Sequence, residues 1–253
     1  MAAVGEGGLG AAAEAIHEVG ALLVERAGVE PGMDVLDVGT GTGNAALPAG
    51  KEGARVTGVD NAPELLEIAR ERGADLMLEP DWVEGRVERL PFEDASFDRV
   101  LSAFGHMFAP RQERVADELR RVCRDGGALG LCAWTPEGLG GRMLAVLASH
   151  MPPAADYESP PASWGDEDRL RELFGDGVEA ERHSVPFTAD SPEDWFAFVA
   201  ESVSPFVTAR GELRDERWSA LREELVELFR DANCAEDGAC RLEQEYLLAV
   251  VRL

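Results

Sequence analysis

Lysine is almost missing from this chain: Lys51 is the single one among 253 residues. Positive charge of any kind is scarce, with 24 Lys and Arg against 49 Asp and Glu, a formal net charge of −25 and a pI of about 4.4. A field of that sign repels phosphate backbones and anionic lipid surfaces, so neither nucleic acid nor membrane is an expected partner. No local basic patch overrides it, because arginines such as Arg217, Arg222 and Arg230 stand among acids. The surplus acid reads as a solvated surface. Cysteine is also sparse. Cys123, Cys132, Cys234 and Cys240 form no Cys-x-x-Cys pair and no histidine clusters near them, so no metal site is expected. Free thiols in a reducing cytosol are the expected state. No apolar run reaches the roughly 20 residues that span a bilayer, and Met1-Ala-Ala-Val-Gly-Glu carries no basic leader segment. A cytoplasmic location follows as the expectation.

What is present is an α/β pattern. Residues 9 to 27 carry Ile16, Val19, Leu22 and Leu23 at helical spacing. Strands are expected at residues 33 to 38, 55 to 60, 82 to 85, 97 to 102 and 128 to 134. Helices are expected from Gly43 to Gly53, from Asn61-Ala-Pro63 onward, and over residues 111 to 124. This alternation implies a mostly parallel sheet with right-handed crossovers. After Trp134 it breaks into a Pro- and Gly-rich stretch over residues 135 to 165. A strand over 182 to 187, helices over 191 to 232 and a last strand over 246 to 251 follow. The length fits one domain with an insertion, and the late helices, too long for a plain crossover, imply a cap over one edge of the sheet.

The most informative segment is Val35-Leu-Asp37-Val-Gly39-Thr-Gly41-Thr-Gly43-Asn44, placed where the first strand meets the next helix. Glycines there allow a tight turn and close approach to a ligand, and the carboxylate Asp60 ending the second strand suits ribose hydroxyls. The spacing is Gly-x-Gly-x-Gly, not the Gly-x-Gly-x-x-Gly of dinucleotide folds. Asp37 would repel a pyrophosphate and attract an ammonium or sulfonium. Both points favour a cationic ligand over NAD.

This segment resembles motif I of class I S-adenosylmethionine-dependent methyltransferases, and Val56-Thr-Gly-Val-Asp60 resembles the motif that follows. Trp82-Val-Glu-Gly-Arg-Val-Glu-Arg-Leu-Pro-Phe-Glu-Asp-Ala-Ser-Phe-Asp98 is similar to the adenine-contacting loop and its signature, and Leu119-Arg-Arg-Val-Cys-Arg-Asp-Gly-Gly127 to the turn before strand five. The resemblance covers roughly residues 20 to 135 and is closest to ubiquinone/menaquinone-type and natural-product methyltransferases. It implies a Rossmann-like, mostly parallel seven-stranded sheet with helices on both faces and a C-terminal helical cap. It also implies three parts: a helical lid over residues 1 to 30, a cofactor core over 31 to 135, and cap segments with the last two strands over 136 to 253.

By the same resemblance, S-adenosyl-L-methionine is the expected cofactor. Gly39 and Gly41 would lie against its methionine part, with Thr40 and Gly43 as further cofactor-binding candidates. Asp37 would hold its amino group, Asp60 with Asn61 its ribose, and Val87 N–H its adenine, with Glu88 nearby. Ser102 would contact the amino-acid portion or the methyl-transfer site. Arg86 departs from the pattern, since the family's acid at that position accepts from adenine and arginine only donates. Either Arg86 turns outward and Glu88 or Glu84 substitutes, or adenine binding is weakened.

The expected acceptor is a small molecule with an O, N or C nucleophile. His106, in the loop after strand four, is the candidate general base and a substrate contact; the alternative is that it merely lines the wall. Phe104, Met107 and Trp134 are the further substrate-binding candidates, with Trp164, Trp195 and Phe198 as aromatic neighbours or plain packing residues. A non-methylating enzyme on the same scaffold, cyclase-like, and a nicotinamide-dependent oxidoreductase are the other readings.

Overall fold

The computed structural model describes residues 6–152, 159–235 and 239–253, with side chains from residue 16 onward. Residues 1–5 of the amino-terminal stretch and Pro153 of the Pro/Gly-rich stretch lie outside the described residues. Seven strands form one sheet: β1 (Asp34–Val38), β2 (Arg55–Asp60), β3 (Asp81–Glu84), β4 (Phe97–Ala103), β5 (Cys123–Trp134), β6 (Val178–Ala189) and β7 (Cys240–Arg252). Their order is β3-β2-β1-β4-β5-β7-β6. The first five run parallel, while β7 lies antiparallel between β5 and β6. This is the Rossmann-like sheet the sequence implies. Its order reverses beside β1, so the loops after β1 and β4 leave the same edge at a switch point where α/β sheets bind ligands.

Helices α1 (Glu6–Arg26), α2 (Ala46–Lys51), α3 (Pro63–Asp75), α4 (Gln112–Val122), α5 (Leu139–His150) and α6 (Glu167–Phe174) flank the sheet. Then α7 (Pro192–Ser202), α8 (Ser204–Glu212) and α9 (Asp215–Ala232) fill the connection from β6 to β7. Residues Val35 to Val38 of β1 are wholly buried except for the polar end, as a central parallel strand covered on both faces requires. Gly130 of β5 faces α1, and a Cβ there would lie 3.1 Å from Ala27 and Leu23, so the helix packs directly on the sheet.

Several expected boundaries shift. The helix after the glycine loop begins only at Ala46, because the chain is still turning through Gly41 and Gly43, both at positive φ. The helix expected to run to residue 124 ends at Val122, and β5 starts at Cys123. Gly126, at φ +77, bends that early part of the strand, and the register to β4 shifts there. The Pro- and Gly-rich stretch contains α5 and a 3-10 segment, Pro161–Gly165. The single late helical region is three helices, broken at Val203 and at Leu213-Arg214.

The largest difference concerns β6 and β7, each about twice the expected length. β5 ends at Trp134 opposite Tyr246, yet β7 begins at Cys240, so residues 240 to 245 pair with Ser184 to Ala189 beyond the end of β5. A two-stranded arm therefore rises past the carboxyl edge of the sheet. Pro186 sits on this arm in β6, the sheet's outer strand, where a missing N–H costs no ladder bond on its open side. The cap helices pack on the arm: Phe187 of β6 lies 5.0 Å from Trp195 of α7, and Phe196 of α7 lies 5.6 Å from Trp218 of α9.

Candidate functional site

Two loops meet at the carboxyl edge. Gly39, after β1, and Gly105, after β4, pack backbone to backbone. A Cβ on Gly105 would lie 2.2 Å from the Gly39 carbonyl oxygen, and one on Gly39 would lie 2.7 Å from Gly105 Cα. Only glycines permit this approach. Gly39 therefore spends its missing side chain on the neighbouring loop, whereas a Cβ on Gly41, at φ +53, would meet nothing within 4 Å. Of the loop glycines, Gly41 is the one with open space before it; Gly43 backs onto Leu47 and Trp82.

Asp37 is 1% exposed. Its Oδ2 accepts from Thr40 Oγ1 at 2.6 Å and from Ala46 N–H at 2.9 Å, while Oδ1 has no partner among the described residues. Burial, helped by the charge of Asp60, pushes its pKa up to about 7 against the pull of hydrogen bonds from Thr40 and the Ala46 and Ala45 backbone. A buried carboxylate with one unbonded oxygen suits a cation such as the ammonium of S-adenosylmethionine. The residues present fit that cofactor at this point.

Asp60 closes β2, and each oxygen binds backbone: Oδ2 accepts from Gly41 N–H at 2.8 Å and Oδ1 from Ala62 N–H at 3.0 Å. The carboxylate thus shapes the glycine loop and keeps further lone pairs for a diol. Thr40 N–H donates to Val59 O at 3.0 Å, tying the loop to β2. Asn61 is exposed beside it.

Arg86 turns outward, with its side chain 67% exposed, and pairs at 3.2 Å with Glu88. Glu88 is buried and takes a second guanidinium, Arg111 Nε at 3.1 Å, on its other oxygen. Burial raises its pKa, but the hydrogen bonds from Arg111 and Arg86 outweigh this and hold it below the usual carboxylate range. Val87 is half-buried between them.

Ser102, fully buried, donates to Val38 O at 2.5 Å and accepts from His106 N–H at 3.1 Å, so its hydroxyl joins β1, β4 and the next turn. Phe104 follows at φ +68, a strained conformation for an aromatic residue that costs about 1–3 kcal/mol. Its ring stacks on Trp134 at 4.0 Å and 20°, with Tyr246 of the arm at 5.8 Å from Phe104. Met107 is fully buried.

His106 is also fully buried, in the 3-10 turn His106–Phe108, and burial pushes its pKa down to about 3. The imidazole is therefore neutral at physiological pH. Its ring lies edge-to-face on Trp164 at 4.6 Å.

The structure thus brings Asp37, Thr40, Gly41 and Asp60 together around the glycine loop, and stacks Phe104 on Trp134 just before the turn that holds buried His106 and Met107. Sequence reasoning missed Arg72 of α3, whose Nη1 donates to Thr42 O, Thr42 Oγ1 and Asn44 Oδ1 at 2.7, 2.8 and 3.2 Å and braces the glycine loop from behind. It also missed Gly105 and Tyr246. Gly105 in Phe-Gly-His was the one available signal; Arg72 and Tyr246 gave none. At the opposite, amino edge a groove of about 570 Å³ lies between Asp34, Arg55, Asp81 and Phe97. On its rim Asp34 is paired with Arg55 at 2.7 Å and with Arg124 at 3.0 Å. Among the described residues, no cluster with metal-ligand chemistry occurs and no helix is long and apolar enough to cross a membrane.

Comparison with known proteins agrees with this geometry. A methyltransferase-domain family model matches residues 35–127. An uncharacterized protein of Mycobacterium tuberculosis is 40% identical over 249 residues, covering 94% of this chain and 87% of that protein. A demethylmenaquinone methyltransferase of Renibacterium salmoninarum is 30% identical over 169 residues, covering 61% of this chain and 70% of that enzyme. Among solved structures, the YcgJ protein of Bacillus subtilis superposes with a TM-score of 0.62 at 19% identity, covering 92% of this chain and 97% of that one, a likeness of fold. The chain belongs to the class I S-adenosylmethionine-dependent methyltransferase family.

Proposed function

We propose that the protein binds S-adenosylmethionine and transfers its methyl group to a small molecule with an O, N or C nucleophile, in a biosynthetic setting. The observation that carries this reading is the unbonded Oδ1 of buried Asp37 beside the open face of Gly41. Asp37 and Gly41 hold the methionine part, with Thr40 fixing the Asp37 carboxylate and Gly39 and Gly43 shaping the turn. Asp60, with Asn61, takes the ribose hydroxyls. Val87 N–H and Glu88 take the adenine, with Arg86 outside as the ion-pair partner of Glu88. Ser102 holds the methyl-transfer edge together by joining β1 to β4.

When bound, the cofactor supplies a methyl group on a sulfonium whose positive charge disappears as the new bond forms. The chain's own part is alignment and exclusion of water. Phe104, Met107 and Trp134 provide an apolar wall on the acceptor side. His106 faces that side as a neutral imidazole. Its burial favours a hydrogen-bonding role over service as a free base at rest, and as a base it would have to act on an acceptor already bound. Residues 1 to 30 serve as a lid, residues 31 to 135 as the cofactor core, and residues 136 to 253 supply the acceptor cap together with the last two strands of the sheet. Family membership and the missing dinucleotide spacing favour methyl transfer over a nicotinamide reaction.

The test is calorimetric titration with S-adenosylmethionine and, separately, NAD, followed by incubation of the loaded protein with candidate acceptors and mass spectrometry. Tight S-adenosylmethionine binding that is lost in Asp37→Ala, with a mass gain of one methyl on an acceptor, is expected. Binding of NAD alone would refute the reading.

A further inference from the structure

The buried face of the arm breaks its own pattern. Over residues 240 to 245 of β7 burial alternates, so positions 240, 242, 244, 246 and 248 share one face. Cys240, Leu242 and Leu248 make that row apolar, and Gln244 and Tyr246 interrupt it. Gln244 is 2% exposed and Tyr246 3%, and neither side chain hydrogen-bonds to any described residue. The unbonded nitrogens of His106, Trp164 and Trp195 are sealed from solvent, whereas the unbonded Gln244 amide and Tyr246 hydroxyl still reach open space. The register places that space. Tyr246 pairs with Trp134, the last residue of β5, and Gln244 lies two residues further out, opposite Val185 of β6. Directly paired residues point to the same face, and the rings agree: Tyr246 lies 6.3 Å from Trp134 and 5.8 Å from Phe104. Phe104 precedes Gly105, which packs on Gly39 of the glycine loop. The two polar heads therefore sit at the carboxyl edge, on the acceptor side of the cofactor loop.

An unbonded buried amide destabilises the fold, and an apolar side chain like those around it would remove that cost. A residue kept against stability at a ligand-binding edge marks a binding role. A side-chain amide sets a carbonyl that only accepts beside an NH2 that only donates. A cation satisfies the first alone and a carboxylate the second alone. The charged residues of this stretch, Arg241, Glu243 and Glu245, alternate onto the other face, so β7 offers a charged ligand no counter-ion beside Gln244. His183, across from Tyr246, is engaged by Glu181 at 3.1 Å. A lone carbonyl or ether bonds only the NH2, and a lone hydroxyl cannot meet both ends of the amide in line. A C=O next to an N–H, as in a carboxamide or ring lactam, matches both ends through two parallel hydrogen bonds. Its second carbonyl lone pair is left for the Tyr246 hydroxyl. Burial pushes the Tyr246 pKa up to about 12, which keeps that hydroxyl a donor at neutral pH. The aromatic row of Phe104, Trp134 and Phe187 suits a planar body lying along it.

We propose that Gln244 and Tyr246 select the methyl acceptor, and that this acceptor is a planar molecule with a neutral carboxamide or ring lactam, paired with the Gln244 amide and accepting from the Tyr246 hydroxyl. This rests on the methyl-transfer reading above and names its substrate class.

The experiment first titrates the protein with S-adenosylhomocysteine. The saturated protein is then titrated calorimetrically with 2-quinolone and benzamide, and with coumarin and acetophenone as counterparts of the same shape without the N–H. Each amide should bind at least about tenfold tighter than its counterpart, the worth of one well-made buried hydrogen bond. Gln244→Leu continues the apolar row. It should erase the preference while the urea midpoint holds or rises, because an unbonded buried amide is gone. Tyr246→Phe should shrink the preference at an unchanged midpoint. A Gln244 that serves packing alone would instead lower the midpoint in Gln244→Leu and leave the preference in place. A wild-type preference below that level, or one that survives Gln244→Leu, overturns the proposal. Should Gln244→Leu fail to fold, Tyr246→Phe decides alone, and an unchanged preference there overturns it. Absence of S-adenosylhomocysteine binding would strike the methyl-transfer reading itself, so the two failures are distinct.

Discussion

The two halves of the site are built from opposite materials. The cofactor half uses charge and backbone: Asp37, Asp60 and a glycine loop braced by Arg72, all within one stretch of consecutive βα units. The proposed acceptor half uses aromatic rings and a neutral histidine drawn from β4, β5, the 3-10 segment and the arm of β7. A carboxylate with unbonded capacity waits for a cation of fixed kind.

Perturbing each half should separate them. The largest effect is expected from Gly105→Ala. The added Cβ meets the backbone of Gly39, and the two loops must part. Thermal or urea unfolding should show a loss of about 3 kcal/mol, at the upper end for a single substitution, and both halves should suffer together.

Asp37→Asn should act on the cofactor half alone, weakening S-adenosylmethionine binding by about 3 kcal/mol, roughly a hundredfold, through loss of a buried charge-assisted pair. Its pH signature has a definite sign. The folded pKa is raised to about 7, so the unliganded protein loses stability as pH rises from the ordinary carboxylate range through 7, where burial penalises the charge. Asp37→Asn should not show that loss. Cofactor affinity in the wild type should climb over the same interval and level off above it, with protons released on binding. Calorimetry in buffers of different ionisation enthalpy measures both.

Asp60→Ala should weaken the cofactor by about 1–3 kcal/mol, and part of that loss comes from the glycine loop, whose Gly41 N–H loses its acceptor. Arg86→Ala should be the mildest, within about 1 kcal/mol in cofactor affinity, because the side chain is mostly exposed and Arg111 still neutralises Glu88. A large loss there would place Arg86 on the cofactor and erase the distinction between its inner and outer residues.

The first half was readable because its chemistry is local. Asp37, Gly41 and Asp60 lie at strand ends that hydrophobic runs and turn residues mark directly, and their contacts span few residues of chain. Five parallel strands followed from the same alternation. Boundaries failed where backbone geometry overrode pattern, as at Gly126, which sits inside β5 instead of ending a helix. The arm of β6 and β7 went unseen because Arg241, Glu243 and Glu245 alternate with buried residues, so the strand looked polar until its partner was known.

Composition and spacing alone settled the α/β class, the glycine turn and the placing of Asp37 in β1 and Asp60 at the end of β2, since these depend on neighbours in the chain. The meeting of His106 with Trp164, the Phe104–Trp134 stack against Tyr246 and the outward turn of Arg86 were decided in three dimensions. Each depends on which distant surface arrives to bury a side chain, and burial sets whether an imidazole is a base or a neutral hydrogen-bonding group.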